Sequence, residues 1–310
     1  MRAARIHTFG PPEVIVIDEI ERPTPDHGEI LVRVAAAGVG PWDALIREGK
    51  SVVNVALPVI PGSDLCGTVE QIGPGVSGFA VGDEIYGVTN PQFCGAYAEY
   101  ALASSAMVAR KPSKLTNVEA ASVPVVAVTA WQMLFDYAQA KPGQTVFIHG
   151  GAGNVGAYAV QLASQANLNV IATASSNDVA YVKGLGAHGV LDYQTTRFEN
   201  GLSPVDIVLD TVGGVTRDRS IHVVKPGGIL VSVVSPFPEA AKPVGIRTAF
   251  FLVEVTTARL NTLTGLFESG KLSTQVGSVL PLEQACLAHE MLAGAPHKRG
   301  KIVLASSTSA

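Results

Sequence analysis

In the first third of the chain, Ile30, Val32 and Val34 alternate with polar or small neighbours, the period of a half-buried strand. Turn signals then recur at short intervals: Pro61-Gly62, Gly73-Pro74-Gly75, Gly82-Asp83 and Asn90-Pro91. Short strands between such reversals predict a compact, barrel-like domain. From about Asn117 the texture changes. A helix precedes the stop signal Lys141-Pro142-Gly143, and strands and helices alternate after it. Strands are predicted at Thr145–His149, Asn169–Ala174, Gly189–Leu191, Val205–Leu209 and Gly228–Val234. Helices are predicted near Val155–Ala166, Asp178–Gly184 and Gly214–Val223. This alternation predicts a parallel sheet covered by helices. Amphipathic helices near Thr257–Ser269 and Leu282–Leu292, a strand at Lys301–Ala305 and a frayed tail at Ser306–Ala310 complete the pattern.

Composition narrows the class. The 310 residues suffice for two domains, and 47% hydrophobic with 15% charged residues points to globular structure rather than disorder. A net charge of −4 gives no general attraction to nucleic acid or anionic membrane. The longest uncharged stretch, Ala120–Phe135, contains Pro124 and falls short of the roughly 20 residues of a membrane span, so a buried helix is expected. The opening segment Met1–His7 lacks the apolar core of a signal peptide. Cys66, Cys94 and Cys286 are odd in number and far apart, which predicts packed thiols in a reducing cytoplasm rather than a disulfide framework.

The chemistry is concentrated in the run Val146-Phe147-Ile148-His149-Gly150-Gly151-Ala152-Gly153-Asn154-Val155-Gly156. A strand leads in and an Ala-rich helix leads out. The spacing Gly151, Gly153, Gly156 is that of a dinucleotide-binding turn. The first glycine allows the tight turn, the second lets backbone approach a pyrophosphate, and the third lets helix and strand pack closely. Amides at the start of the helix, near Asn154 and Val155, together with the helix dipole, favour a bound phosphate.

An acid that binds an adenosine ribose is expected about 20 residues past such glycines. That region reads Ala174-Ser175-Ser176-Asn177, with no carboxylate before Asp178. A carboxylate facing a 2′-phosphate would oppose it by roughly 4 kcal/mol near a surface, so its absence favours NADP(H) over NAD(H). Ser175 and Ser176 offer hydroxyls to that phosphate, or else cap the next helix. Tyr193 is a candidate contact at the adenosine end, and Lys183 and Arg197 are the nearest basic residues.

The order of motifs adds a resemblance. It runs Gly38-Val39-Gly40-Pro41-Trp42-Asp43, Ile60-Pro61-Gly62-Ser63-Asp64, Val81 to Gly87, Gly95-Ala96-Tyr97-Ala98-Glu99-Tyr100, Thr129-Ala130-Trp131, the glycine turn, Leu185-Gly186-Ala187, then Lys298-Arg299-Gly300-Lys301-Ile302-Val303. Over nearly its whole length the chain resembles the medium-chain dehydrogenase/reductase superfamily, and within it the zinc-free, zeta-crystallin-like quinone oxidoreductases. The resemblance implies an α/β fold in which a doubly wound Rossmann domain is inserted into a GroES-like β-barrel catalytic domain. The expected division is 1–118 with 270–310 for the catalytic domain and 119–269 for the Rossmann domain. It also implies a homodimer or homotetramer and a cofactor held between the domains.

By motif position, Gly40, Ser63 and a residue near Val125 stand where the zinc-dependent branch has Cys, His and Cys. None of the three side chains is a zinc ligand, so no metal is expected. The resemblance places Thr129 against the nicotinamide, the backbone around Phe251–Val253 near its carboxamide, Gly213 and Gly214 at the edge of the cofactor groove, and Ser232 beside its nicotinamide half. Trp42, Phe93 and Phe250 are candidate walls of a substrate slot, with the protein core as the alternative. Asp43 is a candidate acid. Its spacing from Arg47 also suits a structural i, i+4 pair.

Hydride transfer asks little of side chains once the nicotinamide faces an electron-poor carbon. The reaction this implies is NADPH-dependent reduction of quinones or α,β-unsaturated carbonyls. Two alternatives are an enoyl-thioester reductase of the same superfamily and a non-catalytic, NADPH-binding redox sensor or crystallin-like protein.

Overall fold

The structure is a computed structural model that describes residues 1–237 and 244–306. In chain order it begins with β1 (Arg2–Ile6), β2 (Ile15–Glu19) and the long β3 (Glu29–Val39). Helix α1 (Pro41–Arg47) follows at once, because Pro41 is preset for a first helical turn and the Asp43 carboxylate accepts the Gly40 N–H at 2.8 Å. Next come β4 (Asp64–Ile72), β5 (Glu84–Val88), β6 (Tyr100–Ser104) and β7 (Val108–Arg110). Thr116 and Glu119 close a reciprocal cap on α2 (Asn117–Ala121).

Pro124 restarts the helix as α3 (Pro124–Trp131), which widens into a π-helical segment at Gln132–Tyr137. The single buried helix expected at Ala120–Phe135 is therefore three pieces, because Pro124 has no N–H to continue the first ladder. Then come β8 (Thr145–Ile148), α4 (Asn154–Gln165), β9 (Asn169–Ala174), α5 (Val179–Gly184), β10 (Gly189–Asp192), α6 (Phe198–Gly201), β11 (Val205–Asp210), α7 (Gly214–Ser220), β12 (Val224–Ser232) and β13 (Arg247–Phe250). The chain closes with α8 (Thr257–Glu268), β14 (Val276–Pro281), α9 (Ala285–Leu292) and β15 (Lys301–Ala305). Strand β12 starts earlier than predicted. Val224 pairs with Val205, and the Lys225–Gly228 excursion shifts the register before Ile229 meets Ile207. Among the described residues, no helix is long and apolar enough to cross a membrane.

The chain forms two compact units, 1–125 with 255–310, and 126–254. In the first, a seven-stranded sheet runs β14-β15-β3-β4-β5-β7, with β6 paired to β3. The C-terminal strand β15 lies antiparallel to β3, with Ile302 opposite Val39 and Ala305 opposite Ala36. Its core gathers Ile6, Ile30, Val32, Leu65, Ile85 and Ile302. Helix α8, expected with the nucleotide-binding domain, belongs instead to this unit. The Thr257 hydroxyl donates to the Val108 carbonyl at 2.7 Å, and the Tyr86 hydroxyl donates to the Leu260 carbonyl at 2.8 Å.

The second unit is a six-stranded sheet in the order β10-β9-β8-β11-β12-β13, with every pairing parallel. Counted from β8, this is the doubly wound order 3-2-1-4-5-6. The order reverses at β8, so the carboxyl ends of β8 and β11 flank the crevice where such sheets bind ligands.

Candidate functional site

The glycine turn leaves β8 at that crevice. Val146, Phe147 and Ile148 are fully buried, which fixes the strand end. Gly150 has φ +69°, a left-handed conformation that a side chain would strain. Its N–H donates to the Thr173 hydroxyl at 3.0 Å, the Gly151 N–H donates to the Thr173 carbonyl at 2.8 Å, and the Thr211 hydroxyl donates to the His149 carbonyl at 2.8 Å. Strand β9 and the segment after β11 thus pin the turn from both sides. A Cβ on Gly156 would lie 2.1 Å from the Gly150 carbonyl oxygen, so α4 approaches the turn as only glycine permits. The first-turn amides of Asn154, Val155 and Gly156 have no partner within the helix and open on the turn. This cradle fits the pyrophosphate of a dinucleotide.

A cavity of about 660 Å³ continues from Gly150, Ala152 and Gly153 past Thr173, Ala174 and Ser175 to Tyr193 and Arg197. The structure therefore brings Gly153, Ser175 and Tyr193 together, and of the two basic candidates it brings Arg197 but not Lys183. The Ser175 hydroxyl donates to Asp178 at 2.7 Å, and the Ser176 hydroxyl donates to Asp192. Asp192 went unrecognised in the sequence. It ends β10, in register with Ala174 at the end of β9, and stands outside the lining of the cavity. That serine bond and the Gln194 N–H hold its pKa below the usual carboxylate value. Arg219 also lines the cavity but is engaged by Glu199. Arg197 forms no ion pair among the described residues. His149, 1% exposed, sets Nε2 2.7 Å from the Ser220 hydroxyl, and burial lowers its pKa to about 4, which keeps a neutral ring under the turn.

Further along this unit, Gly213 has φ +79°, and a Cβ there would meet Val234 at 2.6 Å. The Gly213 N–H and the Ser232 hydroxyl both donate to Asp210, at 2.8 and 2.7 Å. Ser232 is fully buried, and its hydroxyl serves the protein interior. Arg217 Nη1 donates to the Ser235 and Pro236 carbonyls at 3.1 and 2.9 Å, which fixes the loop after β12. Thr129 is buried on α3. Phe251 is buried and stacks on Tyr137 with centroids 4.2 Å apart, and the Glu254 N–H donates to Gln132 at 2.9 Å. The segment carrying Val253 is thus anchored to the π-helical segment, while Phe250 on β13 remains 37% exposed.

In the first unit, Trp42 and Phe93 meet edge to face at 5.8 Å. Phe93 is held at φ +57°, an uncommon conformation for an aromatic residue. Asp43 does not pair with Arg47. Arg47 donates to His289 Nδ1, the Gly10 carbonyl and Glu48, because α1 turns that face toward α9. Asp43 is 1% exposed, accepts from the Gly40 N–H and the Tyr97 hydroxyl, both at 2.8 Å, and leaves Oδ1 without a partner. Burial pushes its pKa up to about 7 against the pull of Lys301.

Gly40, expected from the motif order at a zinc-ligand position, borders a different cation. Lys301 Nζ lies 2.8 Å from Asp64 Oδ2, and both side chains are buried. Asp64 Oδ1 accepts the Val125 N–H at 2.9 Å. A Cβ on Gly40 would stand 3.2 Å from Nζ. A zinc ion does not fit beside Gly40, where a buried ammonium already pairs with Asp64 and the residue itself offers no side chain. Among the described residues, no three His, Cys, Asp or Glu side chains cluster as metal ligands.

Comparison with known proteins agrees with this architecture. Residues 26–113 match the alcohol dehydrogenase GroES-like domain family, and residues 185–304 match the family described as zinc-binding dehydrogenase. The chain is 31% identical to a quinone oxidoreductase of Lama guanicoe, over 98% of this chain and 97% of that one. The structure of the quinone oxidoreductase from Coxiella burnetii superposes with a TM-score of 0.90 at 34% identity, covering 98% of this chain and 99% of that one. A mycobacterial protein complexed with NADPH superposes with a TM-score of 0.86 at 30% identity, covering 98% and 99%. A Rossmann sheet with its glycine cradle, in a chain similar over its full length to these proteins, makes this protein an oxidoreductase of the medium-chain dehydrogenase/reductase superfamily, in its quinone oxidoreductase branch.

Proposed function

We propose that the protein passes hydride from NADPH to quinones or α,β-unsaturated carbonyls without a metal. The observation that carries this reading is an intact dinucleotide cradle in a chain whose Gly40 and Val125 N–H lie against a buried Asp64–Lys301 ion pair, where the motif order expects zinc ligands at Gly40, Ser63 and a residue near Val125. When bound, the nicotinamide supplies the hydride. Conjugation in the acceptor spreads the incoming charge, so that a strong Lewis acid is not required.

The residues divide the work. Gly151, Gly153, Asn154, Val155 and Gly156 hold the pyrophosphate. Ser175, Ser176, Tyr193 and Arg197 take the adenosine end, and Arg197 supports NADP(H) because its charge is not neutralised by an ion pair among the described residues. Gly213, Gly214, Ser232, Phe251 and Val253 border the nicotinamide half, with Thr129 beside the ring. Trp42, Phe93 and Phe250 wall the acceptor. Free thiols at Cys66, Cys94 and Cys286 support a cytoplasmic setting, and β13 at the end of its sheet supports a homodimer or homotetramer.

The test follows loss of NADPH absorbance with a panel of quinones, enones and enoyl thioesters, before and after dialysis against a chelator. Turnover with quinones or enones that survives chelation is expected. Turnover restricted to enoyl thioesters, strict dependence on zinc, or tight NADPH binding without turnover would each replace this reading.

A further inference from the structure

His149 follows β8 directly and borders the cavity beside Gly150. Its ring is wedged edge to face between Phe147 and Phe198, with centroids 4.5 and 4.9 Å away, which fixes its orientation. The tautomer is fixed as well. The Ser220 hydroxyl donates its one proton to the Thr216 carbonyl at 2.7 Å. Toward His149 Nε2, also 2.7 Å away, it therefore offers only lone pairs. Nε2 must carry the ring proton and donate it, so Nδ1 carries a lone pair. Burial, which lowers the imidazole pKa to about 4, keeps that lone pair unprotonated. Among the described residues Nδ1 has no hydrogen-bond partner, although His149 is 1% exposed. A buried acceptor without a donor is costly, and a ligand N–H in the cavity accounts for it.

The walls nearby suit a flat ring. The Arg219 guanidinium lies 4.9 Å from the Phe198 ring centroid, and its Nε and Nη2 both donate to Glu199. With that edge occupied and its charge paired, Arg219 offers the cavity a planar face for stacking rather than a charge for a phosphate. Val212 and Thr216 line the same space.

We propose that the part of the cavity bounded by His149, Val212, Thr216 and Arg219 seats the adenine of the coenzyme, with His149 Nδ1 accepting a hydrogen bond from the 6-amino group. The inference rests on the reading of the coenzyme as NADPH and names the residue that reads its base. All these groups belong to the unit 126–254. Gly150, Gly153 and Ser175 line the same cavity, so pyrophosphate, ribose and base share one continuous surface. An oxo group in place of the 6-amino group would set a second acceptor against the Nδ1 lone pair. His149 thus distinguishes adenine from hypoxanthine.

The experiment compares binding of NADPH with that of deamino-NADPH, whose base is hypoxanthine, by nucleotide fluorescence, with no electron acceptor present. Wild type is expected to bind NADPH about 10- to 100-fold more tightly. In His149→Gln the side-chain amide reaches the Nε2 position and keeps the Ser220 bond but leaves no acceptor at Nδ1, and the preference is expected to vanish. In His149→Asn the amide oxygen takes the place of Nδ1, and the preference is expected to persist. A second measurement needs no variant. In wild type labelled with nitrogen-15 histidine, adenosine 2′,5′-bisphosphate is expected to shift the Nδ1 resonance of His149, and inosine 2′,5′-bisphosphate is not. Equal wild-type affinity for the two coenzymes, an undiminished preference in folded His149→Gln, or an unmoved Nδ1 resonance would overturn the assignment and leave the coenzyme reading standing. Binding of neither coenzyme by wild type would overturn both.

Discussion

Asp64 and Lys301, 237 positions apart in the chain, meet at 2.8 Å inside the first unit and join the start of β4 to the start of β15. Removing one partner strands a buried charge, which costs about 3–5 kcal/mol. Asp64→Ala is expected to lower the stability of the folded chain by that amount in denaturant titrations. The neutral pair Asp64→Asn/Lys301→Met is expected to recover most of it. A single variant as stable as wild type would show that the ammonium is solvated rather than buried.

Asp43 gives the stability a sign with pH. Its folded pKa of about 7 lies above the unfolded value of 3.8, so between those values the folded chain holds a proton that the unfolded chain releases. The contribution is fully present below the unfolded pKa and is lost as pH rises through the folded one, with a slope of up to about 1.4 kcal/mol per pH unit. The groups that face it are the Gly40 N–H, the Tyr97 hydroxyl, Lys301 and Asp64. Asp43→Asn is expected to lack this slope when unfolding is followed from pH 4.5 to pH 8. Parallel curves for the two proteins would refute the assignment.

Gly156→Ala places a methyl group 2.1 Å from the Gly150 carbonyl oxygen. Relief requires the turn and α4 to part, at about 1–3 kcal/mol, and the amides of 154–156 move with the helix. Weaker NADPH binding by at least about tenfold is expected, read by fluorescence titration. Gly184→Ala is the control. A Cβ there meets nothing within 4 Å, and the substitution is expected to leave binding unchanged.

Arg197→Ala tests the choice of coenzyme. A guanidinium–phosphate hydrogen bond is worth about 10- to 100-fold in affinity. NADPH affinity is expected to fall by that factor while NADH affinity stays constant. Equal losses for both coenzymes would place Arg197 elsewhere on the nucleotide.

The Rossmann half was legible because its signals are local. The apolar strand, the glycine spacing and the alternation of elements each sit within a few residues, and α4 starts within one residue of its predicted start. What escaped is set by neighbours distant in sequence. Asp192 meets Ser176 because β10 lies beside β9, and no spacing rule reports that pairing. The spacing of Asp43 and Arg47 suggested an ion pair, but tertiary packing gave Arg47 to His289 and Asp43 to Tyr97. Helix α8 carries no mark in its own sequence of which unit it joins. Its allegiance comes from carbonyls of β7 and the hydroxyl of Tyr86. Lys301 stood in a motif and at the start of a predicted strand with no sign of its burial, which depends on Gly38 leaving room for its stem.

Strand β15 lies between β14 and β3, so the first unit is assembled from segments on either side of residues 126–254. A ribosome releases all of residues 126–254 before it makes the strand that closes β3. The nucleotide-binding half is therefore free to fold during synthesis, while the N-terminal strands wait with one border open to self-association. Pulse proteolysis of stalled nascent chains should find resistance in the middle of the sequence first, and truncation before Lys301 should yield aggregates that still retain a coenzyme-binding core.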